Sequence, residues 1–263
     1  MGKKSDWNPE QYLAYAGERT QPSIDLVSRI NSVKPPALIA DIGCGPGNSS
    51  LAIKQRWPDS ELVGVDKSPA MIEKAKQDYP GQEWILSDVM NFTYNRKFDI
   101  VFSNAVIQWI PDHKNLFEKF FSLLSVGGII AVQLPLFRDM ELGMIISSVS
   151  RRSRWKKAME GCAELFTYHD AGFYYDLLSE KLLKIDMWIT DYIHVLPSHR
   201  GILDWIKTTG LKPYLDRLPD EQDRLSFGDE VLEDIKARYP LQADGKALLP
   251  FKRLFFIGYL QIP

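Results

Sequence analysis

The chain has 263 residues, of which 45% are hydrophobic and 25% charged, with a formal net charge of −2. That length buries a substantial core and suits one α/β domain with an insertion, while the near-neutral balance excludes an overall field for nucleic acid or an anionic membrane. Two cysteines, Cys44 and Cys162, suit a reducing cytoplasm, and the apolar stretches, such as 129–136, are too short to span a bilayer.

The segment to about Val33 reads as two helical pieces, with Ile24, Val27 and Ile30 forming an apolar stripe, and Pro35–Pro36 ends it. Short apolar runs then alternate with helical stretches, the pattern of a parallel sheet with crossover helices. The expected strands are Ala37–Ile42, Glu61–Asp66, Glu83–Leu86, Phe98–Ser103 and Gly128–Leu134. Helices are expected near Asn48–Trp57, Pro69–Tyr79 and Lys114–Ser125, with Gly127–Gly128 stopping the last of them.

Residues 140–183 read as mainly helical, Ile185–Leu196 as a strand, Ser198–Tyr239 as a second helical block, and Lys252–Gln261 as a final strand. The expected fold is α/β: a Rossmann-like seven-stranded, mostly parallel sheet with helices on both faces and a helical cap. All 263 residues form one domain in this reading, with N-terminal helices to 34, a core over 35–135, cap segments over 136–184 and 197–250, and last strands over 185–196 and 252–261. The histidines His113, His169, His194 and His199 have no metal-site spacing with the cysteines, so no metal is expected.

The strongest chemical signal is Asp41-Ile42-Gly43-Cys44-Gly45-Pro46-Gly47-Asn48, after the first strand and opening a helix. Glycines at these three positions let the backbone turn sharply and approach a ligand closely. A dinucleotide fingerprint needs its third glycine at 48, which is Asn, and no lysine follows at P-loop spacing. The pattern resembles the first motif of class I S-adenosylmethionine-dependent methyltransferases. In that register Asp66, ending the second strand, is placed to accept from both ribose hydroxyls, and Asp88, after the third, from the adenine amino group. Asn104 closes the fourth strand on the same sheet edge. The expected cofactor-binding residues are Gly43, Cys44, Gly45, Asp66, Lys67, Asp88, Val89 and Asn104. Cys44 reads as a small residue filling the turn rather than a nucleophile, because no histidine is sequence-local to activate it. Ile107 and Trp109 read either as covers for the adenosine and methyl group or as packing beneath the cap.

Motifs over nearly the whole length are similar to the trans-aconitate methyltransferase family. They include Ser5-Asp6-Trp7-Asn8-Pro9, Glu18-Arg19, Gln55-Arg56-Trp57-Pro58, Val65-Asp66-Lys67-Ser68-Pro69-Ala70-Met71 and Gln108-Trp109-Ile110-Pro111-Asp112-His113. Further on come Ala131-Val132-Gln133-Leu134-Pro135, Pro197-Ser198-His199, Asp204-Trp205, Thr209-Gly210-Leu211 and Arg253-Leu254-Phe255. The chain departs from the family between about Leu136 and Phe166, inside the expected cap. The resemblance implies methyl transfer from S-adenosylmethionine to one carboxylate of a small tricarboxylic acid, giving a monomethyl ester and S-adenosylhomocysteine.

A carboxylic acid is already ionised at neutral pH, so no catalytic acid or base is expected, and the protein acts by proximity and orientation. Cationic residues are expected to pair the acceptor's remaining charges. Candidates are Arg19, His194, His199, Arg200 and Arg253, with Trp109 beside them and Tyr12 and Tyr192 as hydrogen-bond donors. Three rival readings stand alongside. Arg151-Arg152-Ser153-Arg154-Trp155-Lys156-Lys157 suggests an RNA methyltransferase, against a solvated helix face. The others are a non-catalytic S-adenosylmethionine-binding protein and a methyltransferase for another small carboxyl or hydroxyl compound. The expected partner is a small acid, without nucleic acid or membrane, for a monomer or weak dimer.

Overall fold

The computed structural model describes residues 7–10, 16–162 and 166–260; Ser5, Asp6, Tyr12 and Gln261, named above, lie outside the described residues. Helix α1 (Ala16–Arg29) turns Arg19, Ser23, Leu26 and Val27 inward, with Ile30 just beyond its end, while Ile24 is 41% exposed. This corrects the expected stripe. The buried positions follow the i, i+4, i+7 spacing of one helix face, and Ile24 stands about 100° round from Ser23. Arg56 closes the C-terminus of α1 by donating to the carbonyls of Val27 and Ile30.

The strands are β1 (Leu38–Ile42), β2 (Glu61–Asp66), β3 (Glu83–Leu86), β4 (Phe98–Asn104), β5 (Leu124–Pro135), β6 (Leu182–Leu196) and β7 (Ala247–Leu260). They form one mixed, mostly parallel seven-stranded sheet in the order β3-β2-β1-β4-β5-β7-β6. The β1–β2, β2–β3, β1–β4 and β4–β5 pairs are all parallel. Every residue of β1 is buried, as a central strand covered on both faces requires. Helices α2 (Asn48–Arg56), α3 (Pro69–Asp78) and α4 (His113–Leu123) supply the crossovers. Ser68 caps α3 by accepting from the Met71 amide, with Pro69 at the first helical position, and Asp112 caps α4 through the Asn115 amide. The chain runs outward from β1 to β3 and then returns to β4 on the other side of β1. That reversal is the switch point at which open α/β sheets take their ligands.

At the opposite sheet edge Asp99 ties two strands together. Its Oδ2 accepts from the Ala37 and Leu38 amides at 2.7 and 3.2 Å, and its Oδ1 from the Ser125 hydroxyl at 2.9 Å. Gly127–Gly128 does not stop a helix, contrary to the expectation. Helix α4 ends at Leu123, and Gly127, with φ 72°, lies inside β5, where the β4–β5 register shifts between Phe98 and Ile100. A glycine with positive φ serves a bulge as readily as a helix end.

The described residues fall into two compact units, one of 7–10, 16–134, 167–189 and 254–260, the other of 135–162, 166 and 190–253. The first holds β1–β4 and also α6 (Ala171–Ser179), which follows α5 (Glu141–Ser150) of the second. The second contains α5, α7 (His199–Lys207), α8 (Lys212–Leu215) and α9 (Glu221–Arg238). Residues 151–161 are turns rather than helix, and they present the basic run to α9. Arg152 pairs with Glu230 and Asp234 at 2.9 and 2.6 Å, Arg154 with Asp223 at 3.1 Å, and Trp155 is buried edge-on against Phe227. The aromatic residue of this run is therefore part of a core and not a platform for a base. No helix of the described residues is long and apolar enough to cross a membrane.

Candidate active site

The glycine loop emerges from β1 at the switch point. Gly43, Gly45 and Gly47 all have positive φ, at 72°, 55° and 97°. The three differ in what surrounds them. A Cβ on Gly43 would lie 2.1 Å from Val106, and one on Gly47 would lie 2.7 Å from Tyr79, whereas a Cβ on Gly45 would meet nothing within 4 Å. Gly43 and Gly47 are thus pressed by the protein's own side chains, and Gly45 borders open space. The Gly43 and Cys44 amides donate to the Val65 carbonyl at 2.7 and 3.1 Å, which extends the β1–β2 pairing into the loop.

Asp66 ends β2 beside this loop. Its Oδ2 accepts from the Gly45 amide at 2.9 Å and its Oδ1 from the Ser68 amide at 2.8 Å. Burial pushes its pKa up, against the lowering effect of the Ser68 and Gly45 amides. Lys67 is exposed next to it. Asp88 is exposed after β3, where its Oδ1 accepts from the Met90 amide at 2.9 Å, and Val89 is buried. The Ser87 amide donates to the Asp66 carbonyl at 2.9 Å, so the ends of β2 and β3 adjoin.

Beneath the loop lies Asp41, fully buried, whose Oδ2 accepts from the hydroxyls of Ser49 and Ser50 at 2.7 and 2.6 Å. Burial raises its pKa from 3.8 to about 6, opposed by the two serines. Its Oδ1 is buried without a hydrogen-bond partner among the described residues, and so is the Oδ1 of Asn104 at the end of β4. Two orphaned acceptors at one switch point are a costly arrangement unless a ligand carrying donors completes it.

After Asn104 the chain makes a tight turn. Ala105 has φ 57°, an uncommon value for a residue with a side chain, and Val106 lies against Gly43. A single 3₁₀ turn, Ile107–Trp109, follows; Ile107 is buried and Trp109 meets Trp7 edge-on, with ring centres 5.3 Å apart. Arg19 is buried in α1, next to Thr20, whose hydroxyl accepts from the Asn48 side chain at 3.0 Å at the head of α2. Cys44 is buried with Ile72, Ala75 and Trp84, and burial, together with Asp41 and Asp66, lifts its thiol well above the ordinary range. Packed and held neutral, the thiol has the setting of a structural cysteine.

The remaining candidates lie in the other unit. Arg253 is 4% exposed, with its guanidinium 4.7 Å from the Phe251 ring and 5.8 Å from that of Tyr192. His194 is buried among the same rings, stacked with Tyr192 and tilted against Trp205 at 5.3 Å and Phe251 at 5.8 Å. These candidates thus form one cluster. His199 stands apart, its Nε2 donating to the Tyr239 carbonyl at 2.7 Å, and Arg200 is spent on an exposed pair with Asp204.

A methyltransferase-domain profile matches residues 39–128, from β1 to the Gly127 bulge. The trans-aconitate 2-methyltransferase of Escherichia coli O157:H7 strain EC4115 is 38% identical over 255 residues, covering 97% of this chain and 98% of that protein. The chain belongs to the trans-aconitate 2-methyltransferase family. Relatives of that name from Escherichia coli O45:K1 and Shigella flexneri are 39% and 38% identical, each over 97% of this chain and 98% of theirs. Among solved structures, the phosphoethanolamine N-methyltransferase 2 of Haemonchus contortus with S-adenosyl-L-methionine gives a TM-score of 0.58 at 17% identity. The match takes in 96% of this chain, which spans only 56% of that protein's length. A plantazolicin methyltransferase gives 0.51 at 17% identity, over 96% of this chain and 91% of its own. At these identities the likeness is one of fold.

In this family member the sequence reading missed three features. The Ser49 and Ser50 contacts to Asp41 had a local signal, two hydroxyls in the first turn after the glycine loop. Ala105 carried none, since alanine seldom adopts positive φ. The bridge between His113 and Tyr174, 61 residues apart, had no local signal either.

Proposed function

We propose that this chain transfers the methyl group of S-adenosylmethionine to a carboxylate of trans-aconitate or a closely similar small polycarboxylate. The observation that carries this reading is the end-to-end similarity to trans-aconitate 2-methyltransferases, at 38% identity over 97% of this chain and 98% of the relative. The switch-point residues fit the cofactor's chemistry. Asp66 would accept from the ribose hydroxyls, Asp88 and Val89 would meet the adenine, and the Gly43–Gly45 backbone would line the path between, flanked by Lys67 and Asn104. Asp41 and Asn104 each offer a buried oxygen in want of a donor, suited to the ammonium group of the amino-acid end, directly or through a water.

When bound, the cofactor supplies an electrophilic methyl group on a sulfonium centre. The chain's own residues then have no proton to move, because the acceptor carboxylate is ionised at neutral pH. Their work is orientation, exclusion of water and pairing of the carboxylates that do not react. Arg253 and His194, grouped with Tyr192, are the residues we assign to that pairing; Arg19 and Trp109 are separate candidates for it. His199 contributes less directly, by fixing the start of α7 to Tyr239. The two buried free thiols agree with a reducing, cytoplasmic setting.

The test is a panel of mono-, di- and tricarboxylic acids incubated with purified protein and S-adenosylmethionine, following S-adenosylhomocysteine release and the mass of the product. Esterified trans-aconitate supports the reading. Release only with hydroxyl compounds or long-chain acids overturns the acceptor, and tight binding without release for any acceptor favours a non-catalytic binding protein.

A further inference from the structure

We propose that His113 is a positioning residue for methyl transfer, holding the turn of residues 104–109 against the glycine loop through a bridge to Tyr174. The inference rests on the functional reading above and adds a residue to it.

The turn is fastened at several points. The Ala105 amide donates to the Gln133 carbonyl at 2.9 Å, the Gln108 side chain donates to the Ala105 carbonyl at 2.7 Å, and the Thr167 amide donates to the Gln108 carbonyl at 2.9 Å. A further fastening is a side chain outside the turn: His113 Nε2 lies 2.9 Å from the Ile107 carbonyl. His113 Nδ1 lies 2.9 Å from the Tyr174 hydroxyl on α6. A carbonyl only accepts, so the ring proton sits on Nε2 and the lone pair on Nδ1. The Tyr174 hydroxyl must then donate to Nδ1, while its oxygen accepts from the His169 amide. The polarity runs one way, from His169 through Tyr174 and His113 to Ile107.

The surroundings lock this arrangement. His113 is 1% exposed, its ring edge-on to His169 at 5.1 Å, and Tyr174 is fully buried and stacked on Phe256 at 5.1 Å. The titratable groups facing the ring are His169, Tyr174 and the Asp112 carboxylate at the head of α4. Burial, the largest effect, and His169 lower the pKa of His113, while the Ile107 and Ile110 carbonyls and Asp112 oppose them. A protonated ring would turn a second N–H on the hydroxyl that now donates to it. The neutral ring keeps the bridge, and the bridge keeps Val106 seated over Gly43. A loose turn would leave the donor bound but misaligned, and small misplacements cost rate steeply.

Three variants test this: Tyr174→Phe, which removes only the hydroxyl, His113→Phe, and His113→Gln, whose amide can donate to Ile107 and accept from Tyr174. S-adenosylhomocysteine affinity is read by calorimetry, and kcat and KM for trans-aconitate by steady-state kinetics across pH. Tyr174→Phe and His113→Phe are expected to lower kcat about tenfold or more, with cofactor affinity within about twofold of wild type. His113→Gln should recover part of the loss, and the acid limb of the wild-type kcat profile should move in Tyr174→Phe. A folded Tyr174→Phe or His113→Phe variant with wild-type kcat overturns the proposal, as does a parallel loss of kcat and cofactor affinity. Nitrogen-15 shifts of His113 give an answer independent of turnover, since a proton on Nδ1 rules out the bridge. Wild-type protein inactive on trans-aconitate would instead sink the acceptor assignment alone.

Discussion

Asp66 and Gly45 are joined by a 2.9 Å hydrogen bond in which the loop amide donates to the carboxylate. The side chain assigned to the ribose therefore also fixes the stretch of backbone that the cofactor must approach. Asp66→Ala removes both functions. It should weaken S-adenosylhomocysteine binding by about 1.5–3 kcal/mol, the value of a charge-assisted acceptor. Calorimetric titration checks this, and an unchanged Kd in the folded variant would reduce Asp66 to a structural residue.

The glycines should separate under substitution. Gly43→Ala sets a methyl 2.1 Å from Val106, and the protein itself should lose stability. A Cβ at Gly45 meets no protein atom within 4 Å, so in Gly45→Val the sheet should survive with about 1–2 kcal/mol of left-handed strain while cofactor binding is abolished. Thermal melts and titrations on the two variants distinguish these outcomes; a Gly45→Val protein that still binds would mean the loop faces something else.

Asp41 makes a prediction whose sign depends on pH. Burial raises its pKa from 3.8 to about 6, so folding favours the protonated carboxyl. That contribution is fully present below pH 3.8 and is lost as pH rises through about 6. The Asp41→Asn variant, which keeps an acceptor for Ser49 and Ser50, should therefore be more stable than wild type at pH 8 without cofactor. The gain should be roughly 1–3 kcal/mol and fade towards pH 4, measured by denaturant unfolding at both pH values. Cofactor affinity should fall in the same variant. Equal stability at pH 8 would show that the charged carboxylate is not penalised in the folded protein.

Neutralising Arg253 or Arg19 should raise the acceptor KM far more than it alters cofactor affinity, because unpaired buried charge on a polycarboxylate is costly. A monocarboxylate acceptor should suffer less. Steady-state kinetics of Arg253→Gln and Arg19→Gln with both acceptor types provide the comparison. Small and equal effects on the two would remove these arginines from carboxylate recognition.

Where a residue's role depended on near neighbours, the sequence was readable. The strand runs of β1–β4 fell almost to the residue, since each is a short apolar stretch bounded by turn chemistry, and Ser68-Pro69 marked the start of α3. Gly127 was misread because a helix stop and a bulge ask for the same positive φ. Ile24 was misread because three residues at i, i+3 and i+6 spacing fit two neighbouring helix faces. The fate of the basic run was hidden for another reason: Arg152 meets Glu230 and Asp234, 78 and 82 residues further on. The place of Asp66 at the end of β2 was legible in the strand-end pattern, whereas the His113–Tyr174 bridge depended on how α6 packs.

The pairing of Arg152 and Arg154 with α9 bears on how an anionic acceptor reaches this protein. Their charge is balanced locally by Glu230, Asp234 and Asp223, and the chain as a whole carries −2. No long-range attraction then draws a polyanion inward, and the encounter proceeds by unassisted diffusion. For such an enzyme kcat/KM should stay nearly flat, or rise slightly, as salt screens the weak mutual repulsion. Selectivity among acids is in that case decided after arrival, by short-range fit, and the enzyme should work at nearly the same pace in dilute and in concentrated electrolyte.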